Sequence, residues 1–288
     1  MLLIVAWTPR AIPTSIPPQL VVLTPEPVSA GSPELIRVRA NADNVSGEWL
    51  GHKVQFFPSA DHTAWFALAG ADVEAPIGPS TLRISTYKSG PQGLYLAADL
   101  SRNVDIHPAH YRTGSLSVAP KFVEPSPEAL RQIEAESQIK AKVFTASANE
   151  RLWQGSFRAP VPAQSTDSFG TRRMFNGKLA SIHKGADYRA ATGTPVHASN
   201  SGIVVLARPL YYEGNCVIID HGMGLFTLSM HFSRIDVHEG QRVAMGDRLG
   251  LSGATGRVTG PHLHWAVRWQ GAYLDPVKLL RLNLNNIR

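Results

Sequence analysis

Alternating apolar and polar positions dominate this chain. In GPHLHWAVRW (260–269), a strand reading puts His262, His264, Ala266 and Arg268 on one side. Leu263, Trp265, Val267 and Trp269 fall on the other, which reads as core. In LFTLSMHFS (225–233), the same period gives Phe226, Leu228, Met230 and Phe232 a core face, and Thr227, Ser229 and His231 a polar one. Residues 18–118 carry short alternating runs, LIRVRA, KVQFF, AWFALA, STLRIST and GLYLAADL, punctuated by Gly, Pro, Ser and Asp. A strand about every ten residues predicts a small all-β sandwich of immunoglobulin type.

One segment breaks this rhythm. Ser126 is placed to cap a helix, Pro127 suits its first position, and Glu128 suits the positive end of its dipole. EALRQIEAESQIKAKVF then continues with good helix formers. The expected organisation is a β domain over 18–118, a helical connection over 119–158 and a second β domain over 159–288. Within the second, GTPVHASNSGIVV (193–205) is faintly echoed by EGQRVAMGDRLG (239–250), with glycines bracketing a valine. Gly-punctuated short strands predict a compact barrel-like sandwich. Carrier domains for biotin or lipoate share that design, but they need a hairpin-tip lysine, and the second segment reads VAMGD.

Composition narrows the function classes. The chain has 288 residues, so two sizeable cores are affordable. The single cysteine, Cys216, excludes an internal disulfide and a Cys-cluster metal site; its apolar neighbours predict a buried thiol. No apolar run approaches the roughly 20 residues that span a bilayer. MLLIVAW at the N-terminus reads either as the remnant of an export signal or as a short strand, and membrane association would come only through it. Residues 1–164 carry 14 basic and 14 acidic residues; residues 165–288 carry 14 and 8, so the whole excess of +6 lies in the second part. That charge suits an anionic polymer, nucleic acid or bacterial cell wall alike.

Seven of the 11 histidines also lie in residues 165–288, so candidate chemistry concentrates there. SIHKGADY sets His183 and Asp187 four apart in a loop running into a strand. His231 sits on a polar strand face, and His262 and His264 form an HxH pair on one face. His107, His110, His197 and His238 read as surface residues.

The combination HxxxD, a strand His, then GRVTGPHLH resembles the active-site set of lysostaphin-type (LytM-type) zinc endopeptidases. The likeness runs from about Phe169 to Leu280. It takes in FGTRRMFNG, HKGADY, GTPV, IDHGMGLFTLSMHFS, V-x-x-G-D-x-L-G and TGRVTGPHLHW. EWLGHKVQFF and AWFALAGADVEAPIG resemble, more weakly, the immunoglobulin-like domain that precedes some of these enzymes.

The resemblance implies a duplicated, barrel-like antiparallel β fold (a duplicated hybrid motif). It implies zinc held by His183, Asp187 and His264, with His231 and His262 as the catalytic pair. It implies hydrolysis of peptide cross-links or stem peptides in bacterial peptidoglycan, in the cell envelope, and not a nucleic-acid partner. Two imidazoles and a carboxylate leave zinc an open fourth position for water. With no HExxH motif, the base is expected to be a histidine. Whether His231 or His262 serves as base or steadies the oxyanion is left open. His221 is expected to hydrogen-bond structurally. Arg172, Arg173 and Arg257 lie near the motifs, where wall carboxylates would meet them. D,D-endopeptidase activity is the expected specificity; the alternative is a non-enzymatic wall-binding module that activates other hydrolases.

Overall fold

The computed structural model describes residues 14–15, 20–115, 125–175, 178–285 and 287; the MLLIVAW segment lies outside them. The N-terminal half holds β1 (Thr14–Ser15), β2 (Val21–Thr24), β3 (Pro33–Arg39), β4 (Asn44–Trp49), β5 (His52–Gln55), β6 (Phe57–Pro58), β7 (Ala64–Gly70), β8 (Gly78–Gly90), β9 (Gly93–Ile106) and β10 (Thr113–Ser115). They form two sheets, ordered β1-β9-β8-β4-β5 and β2-β3-β7-β6, while β10 leaves to pair elsewhere. Trp49, Val54, Leu82 and Ile84 from the first sheet and Val21, Leu23, Ile36 and Val38 from the second bury themselves in one apolar cluster. The runs singled out by alternation fall on strands, with KVQFF divided between β5 and β6. AWFALA departs in burial: every residue of β7 is buried, on both faces. Contact with the second half adds to this burial, since Gly70 lies close against the Leu274 side chain. Phe66 stacks on Phe57, which meets Trp153 edge-on at 5.7 Å.

Helix α1 (Pro127–Thr145) starts as the sequence predicts, with the Ser126 hydroxyl accepting from Ala129 N–H. It is more than a connection. Ile139, Val143 and Phe144 pack on an apolar cluster of the C-terminal sheet that includes Leu206, Ile218, Phe226, Leu228 and Ala266. Phe144 meets Phe226 edge-on at 5.2 Å, and the Arg268 guanidinium lies 3.9 Å from its ring centre. Cys216 is fully buried in the same cluster, and burial pushes its thiol pKa up.

The C-terminal half contains β11 (Ser165–Asp167), β12 (Arg172–Phe175), β13 (Lys178–Ile182), β14 (Ala186–Tyr188), β15 (Pro195–His197), β16 (Gly202–Leu210), β17 (Gly214–Asp220), β18 (Leu225–Ile235), β19 (Arg242–Val243), β20 (Arg248–Ser252), β21 (Leu263–Trp269), β22 (Ala272–Leu274) and helix α2 (Pro276–Arg281). Ten of these strands form one sheet built on the order β11-β14-β21-β18-β17-β16-β19. The echoed segments pair with each other: β15 with β20, and β16 with β19, both antiparallel. Backbone hydrogen bonds stitch the halves together, Asp275 N–H to Gly31 C=O at 2.7 Å and Val73 N–H to Tyr273 C=O at 3.2 Å. No helix among the described residues is long and apolar enough to cross a membrane.

Candidate active site

Strand register brings the candidate residues together. In β14 and β21, Asp187 stands opposite His264. In β18 and β21, Met230 stands opposite His264, which puts His231 beside it. His183 follows β13, with its backbone fixed by His183 N–H to Thr171 C=O (2.9 Å) and Gly170 N–H to His183 C=O (2.8 Å). Gly185, between His183 and Asp187, must lack a side chain: a Cβ there would lie 2.5 Å from His264 Nε2 and 2.8 Å from Trp265 O.

The result is a tight donor cluster. His183 Nε2 lies 3.1 Å from both Asp187 Oδ1 and His264 Nδ1, and His264 Nδ1 lies 2.8 Å from Asp187 Oδ1. These three residues are the group of His, Cys, Asp and Glu among the described residues that can hold a metal ion. Bonds of about 2.0–2.2 Å in tetrahedral geometry separate ligand atoms by about 3.4 Å, so small side-chain rotations would admit such an ion. The supporting bonds fit that role. His183 Nδ1–H donates to Ser168 C=O at 3.1 Å, which turns the Nε2 lone pair into the cluster. Arg173 donates to the other oxygen of Asp187 at 3.3 Å. Burial alone would raise the Asp187 pKa, but hydrogen bonds and charge from His183 and His264 hold it well below the carboxylate range. Burial pushes the His264 pKa down, against the pull of Asp187.

His231 and His262 flank the cluster. Their ring centres are 4.9 Å apart, and His231 is 6.1 Å from His264. His262 Nε2 lies 3.7 Å from Asp187 Oδ1. Each imidazole donates its Nδ1–H to a backbone carbonyl, His231 to Thr255 (2.9 Å) and His262 to Gly260 (2.8 Å). Each therefore presents Nε2 as a bare acceptor, the tautomer a general base needs. Burial, reinforced by the neighbouring His264 and His262, pushes the His231 pKa down to about 3.

His231 also corrects the sequence reading. It has φ = 67°, and β18 carries a bulge where it pairs with β17. The extra residue ends the alternation, so Phe232 joins the cluster of Leu225 rather than that of Phe226, Leu228 and Met230. The polar face is buried as well, with Thr227 and Ser229 each 3% exposed. His221 is fully buried, bonded to Ser201 C=O and Thr227 Oγ1, and contributes nothing to the donor cluster. His107, His110 and His238 are exposed and His197 is half-buried. Arg257 is exposed, its guanidinium 4.3 Å from the Tyr212 ring centre. Arg172, also exposed, lines a groove with Glu74, His110 and Tyr111 where the two halves meet. The sequence reading missed the carbonyls of Ser168, Thr255 and Gly260, because backbone acceptors leave no residue-type signature. It also missed the need for Gly185, which stands in plain view in HKGADY.

Residues 181–276 match the model of Peptidase family M23. The peptidoglycan DD-endopeptidase ShyA of Vibrio cholerae is 42% identical over 130 residues, 44% of this chain and 30% of that protein. The DD-carboxypeptidase/endopeptidase Mpg of Neisseria meningitidis is 42% identical over 98 residues, 34% of this chain and 23% of that protein. The matches thus span about a third or less of these relatives. A Pseudomonas aeruginosa crystal structure described as a candidate M23 peptidase superposes with a TM-score of 0.67 at 25% identity, over 88% of this chain and 95% of that one. Residues 181–276 of this chain are a domain of peptidase family M23.

Proposed function

We propose that the chain is a zinc-dependent endopeptidase that hydrolyses peptide cross-links or stem peptides of peptidoglycan in the cell envelope, with D,D-endopeptidase specificity. The observation that carries this reading is the convergence of His183 Nε2, Asp187 Oδ1 and His264 Nδ1, with two further imidazoles at their side. Similarity to relatives named peptidoglycan DD-endopeptidases supports the substrate and the specificity. The proposed organisation is an immunoglobulin-like domain (18–118), a helical connection (119–158) and an endopeptidase domain of duplicated barrel-like type (159–288).

Two imidazoles and one carboxylate suit zinc. The chemistry zinc supplies when bound is Lewis acidity toward the scissile carbonyl and a pKa lowered to about 7 for an attacking water. His183, Asp187 and His264 would hold the ion. The bare Nε2 of His231 or His262 takes the proton as attack proceeds. The imidazole so charged becomes a donor, able to return its proton to the leaving amine. Arg173 steadies Asp187, and Arg257 on the rim faces an anionic substrate. The test is zinc content beside release of peptides from purified peptidoglycan. Wild-type protein should hold one zinc and cleave; His183→Ala and Asp187→Ala should lose both while keeping most of the fold. A folded protein that never holds metal, and only stimulates another hydrolase, would establish the non-enzymatic alternative.

A further inference from the structure

His231 occupies a left-handed backbone conformation that a non-glycine residue adopts at a cost of order 1–3 kcal/mol. Such strain persists where surrounding contacts over-determine it. Here those contacts come from outside β18. His231 N–H donates to Glu213 C=O at 2.9 Å, and its Nδ1–H donates to Thr255 C=O at 2.9 Å. Thr255 is in turn tied to the β16–β17 hairpin that carries Glu213, its hydroxyl accepting from Asn215 N–H at 2.9 Å, and to β18 by donating to Phe232 C=O, also at 2.9 Å.

The hairpin is held from helix α1. Glu136 and Lys140 are one turn apart and share a helix face. Glu136, buried in the full chain, accepts Tyr211 N–H through Oε2 at 2.8 Å, and Gln132 donates to its other oxygen at 2.8 Å. Lys140 Nζ forms an ion pair with Glu213 Oε1. The Glu213 side chain is 13% exposed, and its Oε2 is buried with no hydrogen-bond partner among the described residues. Lys140 is therefore the cation ion-paired with a nearly buried carboxylate, and its loss would drive Glu213 toward water.

We propose that Glu136 and Lys140 are positioning residues for the reaction: from helix α1 they clamp residues 211–213, and the clamp fixes the backbone and the imidazole orientation of His231. The inference rests on the proposed function for the importance of His231. It also places α1 functionally with the domain that follows.

The test uses the full chain. In Lys140→Met, kcat should fall about 10-fold or more, since small misplacements of a reacting group are costly, while KM and zinc content stay at wild-type values. The hydrogen-bonded His231 Nδ1–H resonance, followed by NMR with ¹⁵N-histidine, should weaken or vanish. Lys140→Arg should preserve both readouts. Lys140→Met/Glu213→Gln removes the stranded charge while leaving the Glu213 carbonyl contact, and should recover most of kcat and the resonance. An unchanged kcat in Lys140→Met, a loss that tracks metal or folded fraction, or no recovery in the double variant overturns the proposal. A wild-type protein that releases no peptides speaks against the proposed function instead, and the imidazole resonance then still judges the clamp.

Discussion

Strands β21 and β18 each deliver a histidine to the same cluster, and they do so by different means. In β21 the period of two suffices: Leu263, Trp265, Val267 and Trp269 are at most 1% exposed, and His264 emerges on the opposite face. In β18 the period fails at the residue that matters. His231 sits in a bulge with positive φ, bonded to Glu213 and Thr255 from other parts of the chain. A proposed metal ligand is thus placed by local pattern, and a proposed catalytic imidazole by tertiary support. The first arrangement should tolerate remote change better than the second.

The largest way to break this contrast is to remove the support altogether. A chain beginning at Phe157 lacks α1 and leaves bare the sheet face now covered by Ile139, Val143 and Phe144. Re-exposing three apolar contacts of this size costs roughly 5 kcal/mol, a large share of a domain's net stability of about 5–15 kcal/mol. Loss of the N-terminal half and of Trp153 adds to it, because Gly70 packs against Leu274 and Trp153 against Phe157. This truncated chain should aggregate or bind hydrophobic dye strongly. If it is folded, zinc-loaded and as fast as the full chain, tertiary support for β18 from α1 is unnecessary.

A smaller effect sharpens the contrast by separating stability from chemistry. Glu34 in β3 is fully buried, and burial raises its pKa to about 8 against the hydrogen bond from Ser32 and the charge of Lys278. Below its ordinary value of 4.5 the carboxyl is protonated in both folded and unfolded chains. Between pH 4.5 and about 8 only the unfolded chain ionises, so stability falls as pH rises. Glu34→Gln should raise Tm by several degrees at pH 8, with the gain shrinking toward pH 5, and leave turnover alone. Equal Tm shifts at both pH values would contradict the burial argument.

Much of this was legible in the sequence. Ser126 and Pro127 located the helix start, alternation located the strands, and the HxxxD and HLH spacings located the residues that now cluster. What stayed hidden has physical causes. The bulge at His231 is a pairing property, set by the partner strand and invisible in LFTLSMHFS. The burial of both faces of β7 depends on residues outside it, Phe57 of β6 and Leu274 of β22 among them. The role of α1 as a cover followed from no capping signal, because a cap defines where a helix begins and not what it packs against.

In the proposed mechanism the two imidazoles of HLH divide the work, His264 toward the metal and His262 toward the substrate. This division is tested most directly by zinc stoichiometry measured beside the peptide-release rate in His264→Ala, His262→Ala and His231→Ala. His264→Ala should lose zinc and turnover together. The other two should keep one zinc and lose about 10²–10⁴-fold in rate, the usual contribution of a general acid or base. A metal-free His262→Ala alongside a zinc-loaded His264→Ala would reverse the assignment.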